Sequence, residues 1–138
     1  MRLRIAETLR GYPDLGFVPA HRFDIVEETS DQTVGMITLR LGETPEIRLY
    51  AGHVGYAVNP EFQGHRYAAR ALSLLLALAW KVGMAELWVT CNPDNEASRR
   101  TCELAGGEYI ETVQVPQSHT LYQRGMREKC RYRFDLGR

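Results

Sequence analysis

The sequence predicts an α/β domain: a mixed, mostly antiparallel twisted sheet with a central βαβ unit and flanking helices. Three observations carry that expectation. Residues 3–58 alternate apolar and polar side chains in short runs parted by turn residues, which is the pattern of an antiparallel meander. Residues 54–91 then read as strand, loop, buried helix and strand, a unit whose flanking strands run parallel with a right-handed crossover. At 138 residues the chain fits one domain, 1–138, with enough length to bury a sizeable core.

Each element follows from local pattern. Residues 3–9 alternate weakly and form a first strand, and 10–20, with Gly11, Pro13, Gly16 and Pro19, form a turn-rich connection. Residues 21–28 alternate around Phe23 and Ile25, 28–33 are a polar turn, and 34–41 resume a strand with Met36, Ile37 and Leu39. After a turn at 42–46, residues 47–58 read as one long strand interrupted near Ala51 and Gly52, where a glycine marks a bulge. Residues 59–66 are a loop. In the helix 67–82, Leu72, Leu75, Leu76 and Ala79 share a face that Leu74 and Leu78 widen, and Gly83 stops it. Leu72, Leu75, Trp80 and Trp88 are assigned to the core. Residues 86–91 are a compact strand, 95–105 a more polar helix ended by Gly106 and Gly107, and 109–115 a strand. A polar connection at 116–126 leads to 128–136, where Cys130, Tyr132, Phe134 and Leu136 alternate with Lys129, Arg131, Arg133 and Asp135. That last pattern predicts a half-buried strand with an exposed basic face.

Composition excludes several classes. Basic and acidic residues number 17 each, so the chain lacks the basic excess of a general nucleic-acid binder. The three cysteines, Cys91, Cys102 and Cys130, have no paired spacing, which reads as a reduced, cytoplasmic protein with buried thiols. The histidines are scattered, so no metal constellation is expected. The apolar stretch 71–82 is shorter than the ~20 residues a bilayer requires, and no membrane segment is expected.

The informative segment is HVGYAVNPEFQGHRYAARALSLLLALA. A strand ends at Val58, a short loop follows, and the chain enters a helix whose first amides lack internal partners, an anion site by construction. Gly64 permits a tight turn and close backbone approach, and Ala68 and Ala69 keep the first helical turn small. A Walker loop requires Gly-Lys-Ser/Thr where this loop has Gly64-His65-Arg66, and a dinucleotide fingerprint requires three spaced glycines where only Gly64 is present. The run Gln63-Gly64-His65-Arg66-Tyr67-Ala68 instead resembles the Gln/Arg-x-x-Gly-x-Gly/Ala pyrophosphate signature of the GNAT acetyltransferase superfamily, in the manner of a small bacterial member, with Arg66 where the inner Gly is usual. Asn92-Pro93-Asp94-Asn95-Glu96-Ala97-Ser98, followed by Glu103-Leu104-Ala105-Gly106-Gly107, is similar to the same family's next strand-to-helix segment, with Leu104 in place of Lys and Gly107 in place of an aromatic.

The resemblance implies an N-acetyltransferase that moves an acetyl group from acetyl-CoA to an amine in a ternary complex, without a metal. It implies that the strands 55–58 and 86–91 diverge, that the coenzyme's pantetheine arm pairs with backbone near Tyr56 to Val58, and that the pyrophosphate sits on amides of Gly64, His65, Arg66, Tyr67, Ala68 and Ala69, beside Gln63. Asn95 would bond the arm and Arg99 would reach the phosphates. The chemistry requires a base for the ammonium and an acid for the thiolate. His53 is the candidate base, with Glu46 and Glu61 behind it. Many family members use a tyrosine acid where this chain has Cys102, so Cys102, Tyr109 and Tyr122 are the candidates. The short 10–20 segment points to an acceptor pocket built differently, by 116–126 or by a second subunit in a homodimer. The acceptor, a small amine or a peptide amine, stays open. Two other readings remain: a non-catalytic acyl-CoA sensor or interaction domain, and an unrelated nucleotide-binding α/β domain.

Overall fold

The structure, a computed structural model, describes residues 1–12 and 18–137, so part of the predicted 10–20 connection lies outside the described residues. Strands β1 (Arg2–Leu9), β2 (Ala20–Val26), β3 (Thr33–Arg40) and β4 (Val54–Val58) form a four-stranded antiparallel sheet in that order. Helix α1 (Tyr67–Lys81), β5 (Glu86–Cys91), α2 (Glu96–Leu104), β6 (Glu108–Gln114), the short α3 (Thr120–Gln123) and β7 (Glu128–Asp135) follow. In the second sheet β7 lies between β5 and β6, antiparallel to both. The mixed α/β architecture is present, but as two sheets rather than one. β4 ends the first sheet and β5 begins the second, with α1 crossing between them.

His53 joins the two sheets. Its N–H donates to the Trp88 carbonyl (2.7 Å) and its own carbonyl accepts from the Arg40 N–H (2.7 Å). The preceding Gly52 has φ +74°, and a Cβ there would lie 3.0 Å from the Trp88 oxygen and 3.1 Å from the Thr90 nitrogen. Only glycine lets the chain press against β5 at this point. Beyond the joint the sheets part.

Three expectations are corrected. Residues 47–58 are not one strand: Ile47–Ala51 is a π-helical turn and β4 starts at Val54. Long-range partners override the alternation, since the Arg131 guanidinium holds the Arg48 carbonyl (2.9 and 3.1 Å) and the Thr90 hydroxyl holds the Tyr50 carbonyl (2.6 Å). The basic face of β7 is not exposed. Lys129 and Arg131 are each only 8% exposed, because the π-turn and Trp88 cover that face, with the Arg131 guanidinium 4.0 Å from the Trp88 ring. Trp80 is 49% exposed rather than core, while Leu72, Leu75 and Trp88 are buried as expected.

The remaining elements match their local signals. α1 buries Ala69, Ala71, Leu72, Leu75 and Ala79 against the first sheet and ends at Gly83, whose φ of +93° only glycine adopts freely. Asn95 caps α2 by accepting from the Ser98 N–H (3.1 Å). Gly107, where the family pattern has an aromatic, is explained by Phe134: its ring would stand 2.6 Å from any Cβ added there, so β7 supplies the aromatic instead. The 116–126 connection holds α3, docked on the π-turn through a hydrogen bond between His119 Nε2 and Glu46 and a tilted ring contact between His119 and Tyr50 (5.1 Å).

Candidate active-site cleft

Where β4 and β5 separate, a cleft of about 920 Å³ opens between the sheets. Strand alternation gives it two faces. Val54 and Tyr56 turn toward the helices: Val54 is in the core, and Tyr56 Oη lies 2.6 Å from Ser98 Oγ on α2. Gly55 turns the other way, and the Arg40 guanidinium stands 3.1 Å from where its Cβ would be. On the second sheet the paired Cys91 and Cys130 face the core, so Thr90 and Lys129 face away from it.

The helix side of the cleft has the geometry that suits an anion. Gly64 (φ +88°) and Arg66 (φ +60°) turn the chain into α1, which has no side-chain cap. Among the described residues, the backbone N–H groups over 64–69 make no hydrogen bond to protein, and the first helical bond is Arg70 N–H to the Arg66 carbonyl (3.0 Å). Those amides, the helix dipole and the guanidinium groups of Arg66 and Arg100 all favour negative charge. The left-handed backbone of Arg66 accounts for the glycine usual at that position: Arg66 precedes the helix rather than belonging to its first turn. Nearby, the buried Asn92 Oδ1 has no hydrogen-bond partner among the described residues.

Of the residues predicted from sequence, Tyr56, Val58, Gln63, Gly64, Arg66, Tyr67, Ala68, Ala69 and Asn95 line this cleft. Gln63 uses its amide to donate to the Val58 carbonyl (3.1 Å), and the Asn95 Oδ1 is occupied by its cap. The side chains of His65 and Arg99 do not line the cleft. His65 packs its ring on Tyr67 (5.9 Å), and Arg99 turns back to Tyr132 Oη (3.0 Å) and the Pro93 carbonyl (3.4 Å). Its neighbour Arg100 lines the cleft instead. Adjacent helical residues diverge by about 100°, so only one of the pair faces in, and sequence alone did not choose between them. The sequence reading did not single out Arg40, Tyr50 and Thr90, which long-range pairing brings to the cleft together with Lys129 of the basic strand and Asn92 and Ser98 of the second motif.

Of the candidate catalytic residues, His53, Cys102, Tyr109 and Tyr122 do not line the cleft, and neither do Glu46 and Glu61. His53 is fully buried with both ring nitrogens engaged: Nδ1 accepts from the Trp88 N–H (2.9 Å), so the proton sits on Nε2, 3.0 Å from the Gly42 carbonyl and 3.1 Å from Glu43. Cys102 is fully buried, and burial pushes its thiol up to about 12. Tyr109 lies on the exposed edge strand β6, its hydroxyl 2.6 Å from Thr112. Glu46 is bound to His119, and Glu61 is exposed on the turn Pro60–Phe62.

The His53 geometry has a stability consequence. Burial holds its pKa below the ordinary value of 6.5, against the opposing pull of Glu43. The unfolded chain therefore binds a proton more readily than the fold. The stability from neutral His53 is fully present above pH 6.5 and is lost as the pH falls below it, by up to about 1.4 kcal/mol per pH unit. Glu86 does not titrate in that window, because Arg133 and Arg48 hold it down to about 2. Thermal unfolding at pH 7.5 and 5.5 will show a drop in Tm that His53→Gln largely removes; an equal drop in both proteins would contradict the assignment.

The family model described as Acetyltransferase (GNAT) domain matches residues 5–108. No curated protein matches the sequence significantly. Among solved structures, the fold is similar to the ribosomal-protein-S5-alanine acetyltransferase of Vibrio fischeri (TM-score 0.67, 19% identity, covering 86% of this chain and 62% of that one). It is also similar to a GNAT-family acetyltransferase of Bacillus anthracis (0.66, 19%, 85% and 67%). A third is the Microcin C7 self immunity acetyltransferase, determined with acetyl-CoA and AMP (0.64, 19%, 84% and 61%). The chain thus spans between three fifths and two thirds of the length of these structures.

Proposed function

Because the chain belongs to the acetyltransferase (GNAT) family, we propose that it transfers an acetyl group from acetyl-CoA to an amine by direct attack in a ternary complex. The observation that carries this reading is the row of unpartnered amides over 64–69 at the positive end of the 15-residue helix α1, opening into the gap between β4 and β5. A diphosphate on those amides satisfies them, with Arg66 and Arg100 balancing its charge. The thioester arm then runs between the parted strands, where the buried Asn92 Oδ1 accepts a hydrogen bond from an amide of the arm.

In the transfer the amine nitrogen bonds to the acetyl carbon, the carbon–sulfur bond breaks, the nitrogen loses a proton and the coenzyme thiolate gains one. Tyr56 is our candidate donor of that last proton. Its hydroxyl is in the cleft and hydrogen-bonded to Ser98 Oγ. It thus stands in for the tyrosine that the family pattern places at the position of Cys102. No carboxylate or imidazole lines the cleft among the described residues, so the ammonium proton leaves to solvent through the open mouth.

The test is calorimetric titration with acetyl-CoA followed by a thiol-release screen across amines. Micromolar binding with turnover supports the proposal, and absence of binding would end it. Binding without turnover of any amine would favour the acyl-CoA sensor, the reading that the buried Cys102 at the usual tyrosine position supports. One substitution refines the loop assignment. Arg66→Gly relieves a left-handed backbone that costs an arginine about 1 kcal/mol, so Tm rises by a few degrees while acetyl-CoA affinity falls several-fold with the lost charge. A fall in both would show that the Arg66 side chain holds the loop together.

A further inference from the structure

The face of the cleft that points away from the helices carries a charge pattern that coenzyme binding does not use. Four cations line the cleft as a whole, Arg40, Arg66, Arg100 and Lys129, and no Asp or Glu does among the described residues. Arg66 and Arg100 belong to the phosphate end, beside the N-terminus of α1. Arg40 and Lys129 stand on the opposite face: Arg40 beside Gly55, and Lys129 on β7, pointing away from the core that takes Cys130.

Lys129 is the more informative of the two. It is only 8% exposed, and its ammonium makes no hydrogen bond or ion pair among the described residues. A buried lysine without a counter-charge is costly, and burial lowers its pKa accordingly. Arg40 is half-buried and holds the Ala51 and Gly52 carbonyls (3.3 and 3.1 Å) with one nitrogen, Nη1. The carboxylate whose charge reaches it, Glu46, is engaged by His119. The rest of this face is Tyr50, Thr90, Leu121 and Met126, a mostly apolar wall.

We infer that the acetyl acceptor is an amine that also carries an anionic oxyacid group, a carboxylate or a phosphonate, which pairs with Lys129 and Arg40 while an apolar body lies on Tyr50, Leu121 and Met126. The inference rests on the acetyl-transfer reading and narrows it. An anion on the acceptor supplies the counter-charge that Lys129 lacks within the protein, and polycationic amines are repelled from the same face.

The test uses matched probes in the thiol-release assay: phenylalanine against phenethylamine, tyrosine against tyramine, and β-alanine and aminoethylphosphonate against ethylamine, with spermidine as the polycation. The expected result is a kcat/KM at least about 100-fold higher for the anionic member of at least one pair, on the scale of a desolvated charge pair. β-Alanine against aminoethylphosphonate separates the two anions. Lys129→Met should reduce that ratio more than tenfold and Lys129→Arg should restore most of it, with the fold checked by acetyl-CoA affinity. Acetyl-CoA binding combined with equal or better use of the neutral-bodied amines or spermidine, with no use of any anionic member, or with an unchanged ratio in Lys129→Met, overturns the inference and leaves the family reading intact. Failure to bind acetyl-CoA at all removes the reading beneath it.

Discussion

Gly64→Asp will abolish measurable acetyl-CoA binding, with a loss of at least about 100-fold in affinity, while the protein stays folded. Gly64 has φ +88° and lies in open space, with no atom within 4 Å of a Cβ built on it. The added side chain meets no steric obstacle, and aspartate is among the residues that tolerate left-handed backbone best, so the fold loses only about 1 kcal/mol. Its carboxylate, however, adds a negative charge to the loop whose amides, over 64–69, have no partner in the protein. An anion fixed at a helix N-terminus satisfies the amides and repels the diphosphate. Titration calorimetry measures the affinity and thermal melting the fold. Retained affinity in a folded Gly64→Asp protein would remove the loop from the site.

Tyr56→Phe should lower kcat by about 100-fold at neutral pH with little change in acetyl-CoA affinity, the usual scale for a lost general acid. The hydroxyl has two roles in the structure, a hydrogen bond to Ser98 and the proposed proton donation, and they are separable. Ser98→Ala removes the bond to Oγ, keeps the longer one to the Ser98 carbonyl (3.4 Å) and leaves the hydroxyl free to donate, so its effect on kcat should be several-fold at most. A kcat loss as large in Ser98→Ala as in Tyr56→Phe would mean that the contact between β4 and α2, and not the proton, matters. An unchanged kcat in Tyr56→Phe would return the proton transfer to solvent.

The contrast between what the sequence disclosed and what it hid has a physical origin. Strand alternation, the leucine face of α1 and the stop at Gly83 are all local signals, encoded within one or two turns of chain. They were legible, and so was the turn into α1 on one face of the cleft, because Gly64 acts through backbone geometry fixed by near neighbours. The other face was not. Lys129 looks like a surface residue until the π-turn at Ile47–Ala51 is laid across β7, and that turn in turn exists because Arg131 and Thr90 hold its carbonyls from far along the chain. His53 shows the same limit. A histidine at a strand start beside an anion loop fits a general base, yet the Trp88 N–H, 35 residues away, takes its lone pair. The joint it makes is what lets β4 and β5 separate, so His53 serves the cleft by shaping it.

That separation, with free amides at its mouth, is the claim everything else depends on, and an amide-resolved NMR titration with acetyl-CoA tests it most directly. The backbone signals over 64–69 should move the most and gain protection from exchange, with smaller changes along β4 and at Asn92, while β1 and β2 stay still. If the signals at 64–69 remain unmoved at saturating acetyl-CoA, or if the largest shifts fall on the first two strands, the coenzyme does not bind where this structure opens and the account is wrong.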